Sequence, residues 1–130
     1  AVHMTWGAVN EWTTQAAYAR LAAKSGHPVL ADLLKRIMRQ EGKHIDFYAS
    51  QAKDRLGAGR AARRATRLAL RRFWRPVGSG VMPPAEVDFL IGYLFEGDEG
   101  AAMADRIDRR ISALPGLSGL DIVSSVHQAA

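Results

Sequence analysis

Glu41-Gly42-Lys43-His44 is the stretch that decides how this chain of 130 residues is read. Glu41 and His44 stand three apart, so on a helix they share a face one turn apart, and Tyr48 follows on that face. Upstream, Glu11 lies in another helical stretch with Tyr18 two turns further on. Two antiparallel helices would aim two carboxylates and one imidazole at a single point. Carboxylate oxygen with imidazole nitrogen is a ligand set suited to iron or manganese. The expectation is one half of a buried dimetal site.

Outward from that stretch, the pattern is helical throughout. Residues 4–24 read as a first helix, with Ala8, Glu11, Gln15, Tyr18 and Leu21 or Ala22 on one face. Ser25-Gly26-His27-Pro28 breaks it: Gly26 suits a left-handed cap, His27 an N-cap, and Pro28 the first position of the next helix. So short a connection makes the two helices antiparallel neighbours. Residues 29–56 read as the second and longest helix. Its inner stripe runs Leu30, Leu33/Leu34, Ile37, Glu41, His44/Ile45, Tyr48, Ala52 and Arg55, so two ligand-type residues interrupt an apolar stripe. Gly42 is a poor helix former there and is read as allowing a close helix contact.

Gly57-Ala58-Gly59 ends that helix. A third spans 60–75, with Arg60, Arg64, Arg67, Arg71 and Arg75 as a basic stripe, and Ala61, Ala65, Leu68, Ala62, Ala69 and Phe73 opposite. Trp74 reads as an anchor for the helix end. A Pro- and Gly-rich loop leads to a fourth helix, 84–95, with Val87, Leu90, Ile91 and Leu94 on its apolar face. Asp98 suits the N-cap of a fifth, ending near residue 114 before Pro115-Gly116. Residues 117–130 read as a weaker segment, with a last short helix through Leu120, Val123 and Val126. No stretch reads as a strand. The expectation is an all-α single domain over 1–130, of about five helices with a long antiparallel pair at the N-terminus.

The totals bound the rest. A chain of this length fits one domain and hides roughly two-thirds of its unfolded surface. Hydrophobic residues at 48% and charged residues at 24% are an ordinary globular balance. The absence of cysteine excludes disulfides, thiolate metal sites and cysteine nucleophiles, and leaves the redox compartment open. Nothing resembles a membrane span or a signal peptide, so a cytoplasmic location is the default expectation. The chain opens on Ala1-Val2-His3-Met4. Either His3-Met4 is a tag remnant, or Ala1 is internal to a longer protein. His3 is read as terminal, and His127 stands isolated.

Glu11 followed by Glu41-x-x-His44, with Gly26 and Pro28 in the intervening turn, resembles the ferritin-like di-iron carboxylate superfamily. In that fold a four-helix bundle supplies one Glu from each of two helices and a Glu-x-x-His from each of the other two. The order looks most like the second half of a soluble acyl-[acyl-carrier-protein] desaturase, with rubrerythrin-like proteins as the rival. The resemblance covers about residues 5–56. It implies a di-iron (or manganese) cofactor and an oxygen-dependent oxidoreductase. Glu11 and His44 would then be terminal ligands and Glu41 a bridging one, with Tyr18 and Tyr48 as donors behind them and Asp32 or Asp46 as acceptors that fix the imidazole.

One departure matters. The chain holds a single Glu-x-x-His; Glu86, Asp88, Glu96, Asp98 and Glu99 have no histidine at that spacing. A complete site therefore needs a second copy about a twofold axis or a missing N-terminal half, unless the site is degenerate. Glu-x-x-His also arises by chance on exposed helix faces.

The net charge is +5, and the excess is uneven: seven arginines and no acid lie between Arg60 and Arg75. The plain reading is a solvated helix face. The sharper one is an anion-binding surface of Arg60, Arg64, Arg67 and Arg71, and the resemblance implies an acidic carrier protein as its partner. Interleaved aromatics and a helix-turn-helix are missing, so nucleic acid is not expected. An apolar side made mostly of alanine gives only weak support to a membrane-surface role. The alternative to an enzyme is a non-catalytic helical module that binds an acidic partner through this helix.

Overall fold

The first two helices owe their pairing to the turn between them. In the computed structural model, which describes residues 1–129 with side chains as far as Val126, α1 is Val2–Lys24 and α2 is Pro28–Gly57. Gly26 takes a φ of 60° and lets the chain reverse. His27 is the N-cap, its Nδ1 accepting from the Leu30 N–H at 3.3 Å, and Pro28 opens α2. Two contacts set the register of the pair. Gln15 Nε2 donates to the Met38 carbonyl at 2.9 Å. One end lower, the Tyr48 ring lies directly on Gly7, so closely that a Cβ there would fall inside the ring's van der Waals envelope. The close approach is therefore at Gly7 and not at Gly42, where an added Cβ would meet nothing within 4 Å.

The remaining helices are α3 (Arg60–Phe73), α4 (Pro84–Phe95), α5 (Gly97–Ser112) and α6 (Ile122–Ala129). The chain is all-helical: six helices and no strand among the described residues, with one isolated bridge between Ser79 and Met82. α1 is the hub, packing on α2, α3, α4 and α5. One core cluster draws on all six helices, including Val9 and Trp12, Leu56, Leu70, Leu94, Ile107 and Ile111, and Val123. Trp74 is buried as expected, its Nε1 donating to Asn10 Oδ1 at 3.0 Å.

Three polar devices bind the periphery to this core. Arg20 is buried on α1; its Nε donates to the Leu94 carbonyl at 2.8 Å, its Nη2 to the Glu96 carbonyl at 3.2 Å, and its Nη1 to the Glu99 carboxylate. Those carbonyls end α4, where no intrahelical donor remains. Asp108, buried on α5, accepts from the Val123 and Ser124 N–H groups at 3.1 and 2.8 Å and so caps α6 from a neighbouring helix. Arg63 and Arg67 donate to the carbonyls of Leu56 and Ser118, both at 2.8 Å.

Several expectations are corrected. The N-cap of α5 is Glu96 and not Asp98, because the helix already begins at Gly97. In α3 the buried residues are Thr66 and Leu70; Ala61, Ala65, Leu68 and Phe73, expected opposite the arginines, face outward. The helix rotates because Thr66 and Leu70 sit four apart, on the side that Arg63 pulls against the end of α2. In α2 the buried stripe is Leu34, Ala52 and Leu56, which leaves the mid-helix positions at the rim.

Candidate metal centre

Antiparallel register brings Glu11 of α1 opposite Glu41 and His44 of α2. One ligand atom from each of the three lies within 4.8 Å of the others. His44 Nδ1 is 2.6 Å from Glu41 Oε2, the one-turn pairing expected of an i, i+3 spacing. The group is not sunk in a bundle as expected. The His44 side chain is 64% exposed and Glu41 33%, because α2 has α1 on one side and solvent on the other at this level.

Like Glu41, Glu11 is half-buried. Burial first and the Glu41 charge second hold its carboxyl above the ordinary range, with His44 pulling it back down. The folded chain thus holds the Glu11 proton to a higher pH than the unfolded chain does. That contribution to stability is present at low pH and is lost as pH rises through the folded value. A Glu11→Gln variant, which cannot ionise, is expected to make the metal-free protein slightly more stable at neutral pH, since it removes a charge that burial and Glu41 disfavour. Urea unfolding measures it. A variant less stable than the parent at neutral pH would mean that Glu11 is held by His44 rather than strained by Glu41.

Tyr48 lies one turn beyond His44 and edge-on to Phe47 and to His3, with centroids 5.7 and 6.4 Å away. His3 is therefore a neighbour of the site-bearing face and not merely terminal; the signal was Gly7 between them, a glycine inside a helix and opposite a bulky ring. Tyr18 stands two turns along α1 from Glu11, against an apolar groove of about 220 Å³ shared with Pro76, Val77 and Leu90. Within one chain neither aspartate pairs with His44. Asp32 pairs with Arg36 at 2.9 Å, and Asp46 lines a cavity of about 430 Å³ with Met103 and Arg106. The side chain of His127 lies outside the described residues. No family model, no curated protein and no solved structure matches this chain.

Among the arginines, Arg60, Arg64 and Arg71 are exposed, whereas Arg67 is held by the Gly116–Ser118 carbonyls. No helix among the described residues is long and apolar enough to cross a membrane.

Proposed function

We propose that Glu11, Glu41 and His44 are one half of a dimetal carboxylate centre in a ferritin-like arrangement, completed by a second copy of this chain. The convergence of two carboxylates and an imidazole from two helices within 4.8 Å carries the reading. The donor set fits a divalent ion such as iron or manganese. The raised Glu11 carboxyl fits as well, since a cation beside it would offset the burial and the Glu41 charge that disfavour its ionised form. The face is open to a partner. Leu33 and Phe47, exposed at 52% and 54%, flank the ligands on α2, an apolar border that a second helix pair would cover.

Bound iron would supply one-electron redox chemistry, and the reaction class is an oxygen-dependent oxidoreductase related to acyl desaturases. This chain's residues have defined parts in it. Glu11 would offer its carboxylate from α1, and Glu41 and His44, which now pair with each other, would turn to the ion from α2. Gly7 and Tyr48 fix the register that keeps α1 and α2 ligands opposite each other.

A second reading has its own support: Glu41 and His44 satisfy each other without any ion. In that case the fold is a non-catalytic module and its arginine helix binds an acidic partner. Iron content measured together with mass in solution separates the two. The expected result is iron bound by a dimer, with all of it lost in Glu41→Ala/His44→Ala. A double variant that still holds stoichiometric iron would show the ligand assignment to be wrong. A metal-free monomer would favour the module, and iron restored only by a separate helix pair would identify a different partner.

A further inference from the structure

Between Asp54 and Glu86 the chain holds eight arginines and neither an acid nor a lysine. The structure divides them. Arg63 and Arg67 donate to backbone carbonyls, Arg75 Nη1 to the Trp74 carbonyl at 2.7 Å, and Arg55 Nη2 to Gln51 Oε1 at 3.1 Å. Arg60, Arg64, Arg71 and Arg72 are exposed. Leu68, 60% exposed, lies within a turn of Arg64, Arg71 and Arg72.

The end of this helix continues into an apolar tip. Phe73 is 69% exposed, Val77 53% and Val81 90%. The tip is not slack. Ser79 N–H donates to the Pro76 carbonyl at 3.1 Å, and the N–H groups of Val81 and Met82 donate to the Gly78 carbonyl at 3.1 and 2.9 Å. Gly78 and Gly80 take φ values of 98° and 85°, which permits so tight a turn. Val81 is thus held out into solvent by a closed turn.

We infer that α3 and the 76–82 turn dock on an anionic lipid bilayer. A cationic surface alone suits any polyanion, but exposed valines gain nothing from phosphates or stacked bases. A bilayer presents a phosphate layer directly above an apolar one, which matches exposed Arg71 and Arg72 at the end of α3 followed by a protruding apolar turn. The turn supplies the apolar part that alanines in α3 do not. The inference is independent of the metal centre.

Co-sedimentation of the full chain with lipid vesicles tests it. The chain is expected to pellet with vesicles of phosphatidylcholine mixed with phosphatidylglycerol and to stay in solution with phosphatidylcholine alone. Arg71→Glu/Arg72→Glu should weaken binding at least about 25-fold, at about fivefold for each cation lost. Val81→Asp should weaken it about tenfold, with an unchanged far-ultraviolet dichroism spectrum. No pelleting with anionic vesicles overturns the inference, as does a Val81→Asp variant that binds like the parent. Binding to duplex DNA without binding to vesicles would assign the arginines to nucleic acid instead.

Discussion

Gly100→Ala is expected to destabilise the protein by about 3 kcal/mol or more, the upper range for forcing an extra methyl into a packed site. Only Glu96 separates α4 from α5, so the first turn of α5 lies on the last residue of α4. A Cβ at Gly100 would overlap the Phe95 carbonyl group outright and stand 2.6 Å from its Cα. Backbone cannot turn aside as a side-chain tip can, so α4 or α5 has to shift, and both carry core residues. Urea denaturation should show a midpoint lower by about 1–3 M. Gly42→Ala is the matched control: the same methyl meets nothing within 4 Å and should stabilise α2 by up to about 1 kcal/mol. Equal effects from the two substitutions would dispose of the close-contact explanation.

Arg20→Met should cost about 2–4 kcal/mol. The aliphatic part is retained, so the loss isolates the guanidinium. Glu99 is 85% exposed and is not stranded by the change. The Leu94 and Glu96 carbonyls lose their donor at the α4–α5 junction, and the buried one, at Leu94, carries most of that penalty. Because the contact is mainly to carbonyls, added salt should change the loss little. A salt-dependent loss below about 1 kcal/mol would instead make Arg20 an ordinary surface ion-pair residue.

How much of this the sequence carries can be argued from particular residues. The α1–α2 pair was readable because Gly26, His27 and Pro28 each dictate a backbone state locally, and the structure places all three as expected. The convergence of Glu11, Glu41 and His44 followed from helix periodicity and one short turn. Their exposure did not, because it depends on what covers α2, and only three-dimensional packing decides that. Helix three was misread for a related reason. Alanines and leucines lie all round it, so the apolar pattern could not choose between Leu68 and Leu70, and Arg63 settles the choice through a carbonyl at the end of α2. Gly100 and Arg20 act through tertiary contacts and leave no local signature.

The hub position of α1 has a consequence for the ligand group. Glu11 rides on the helix that touches α2, α3, α4 and α5, whereas Glu41 and His44 ride on α2, which packs mainly on α1 and briefly on α3. Nearly all of the attachment of α2 runs through α1, so the three side chains stay opposite one another only while that one helix pair is closed. An ion held by Glu11, Glu41 and His44 together would bind only that closed form. Its affinity then reports the docking equilibrium of α2 as well as the chemistry of three donors.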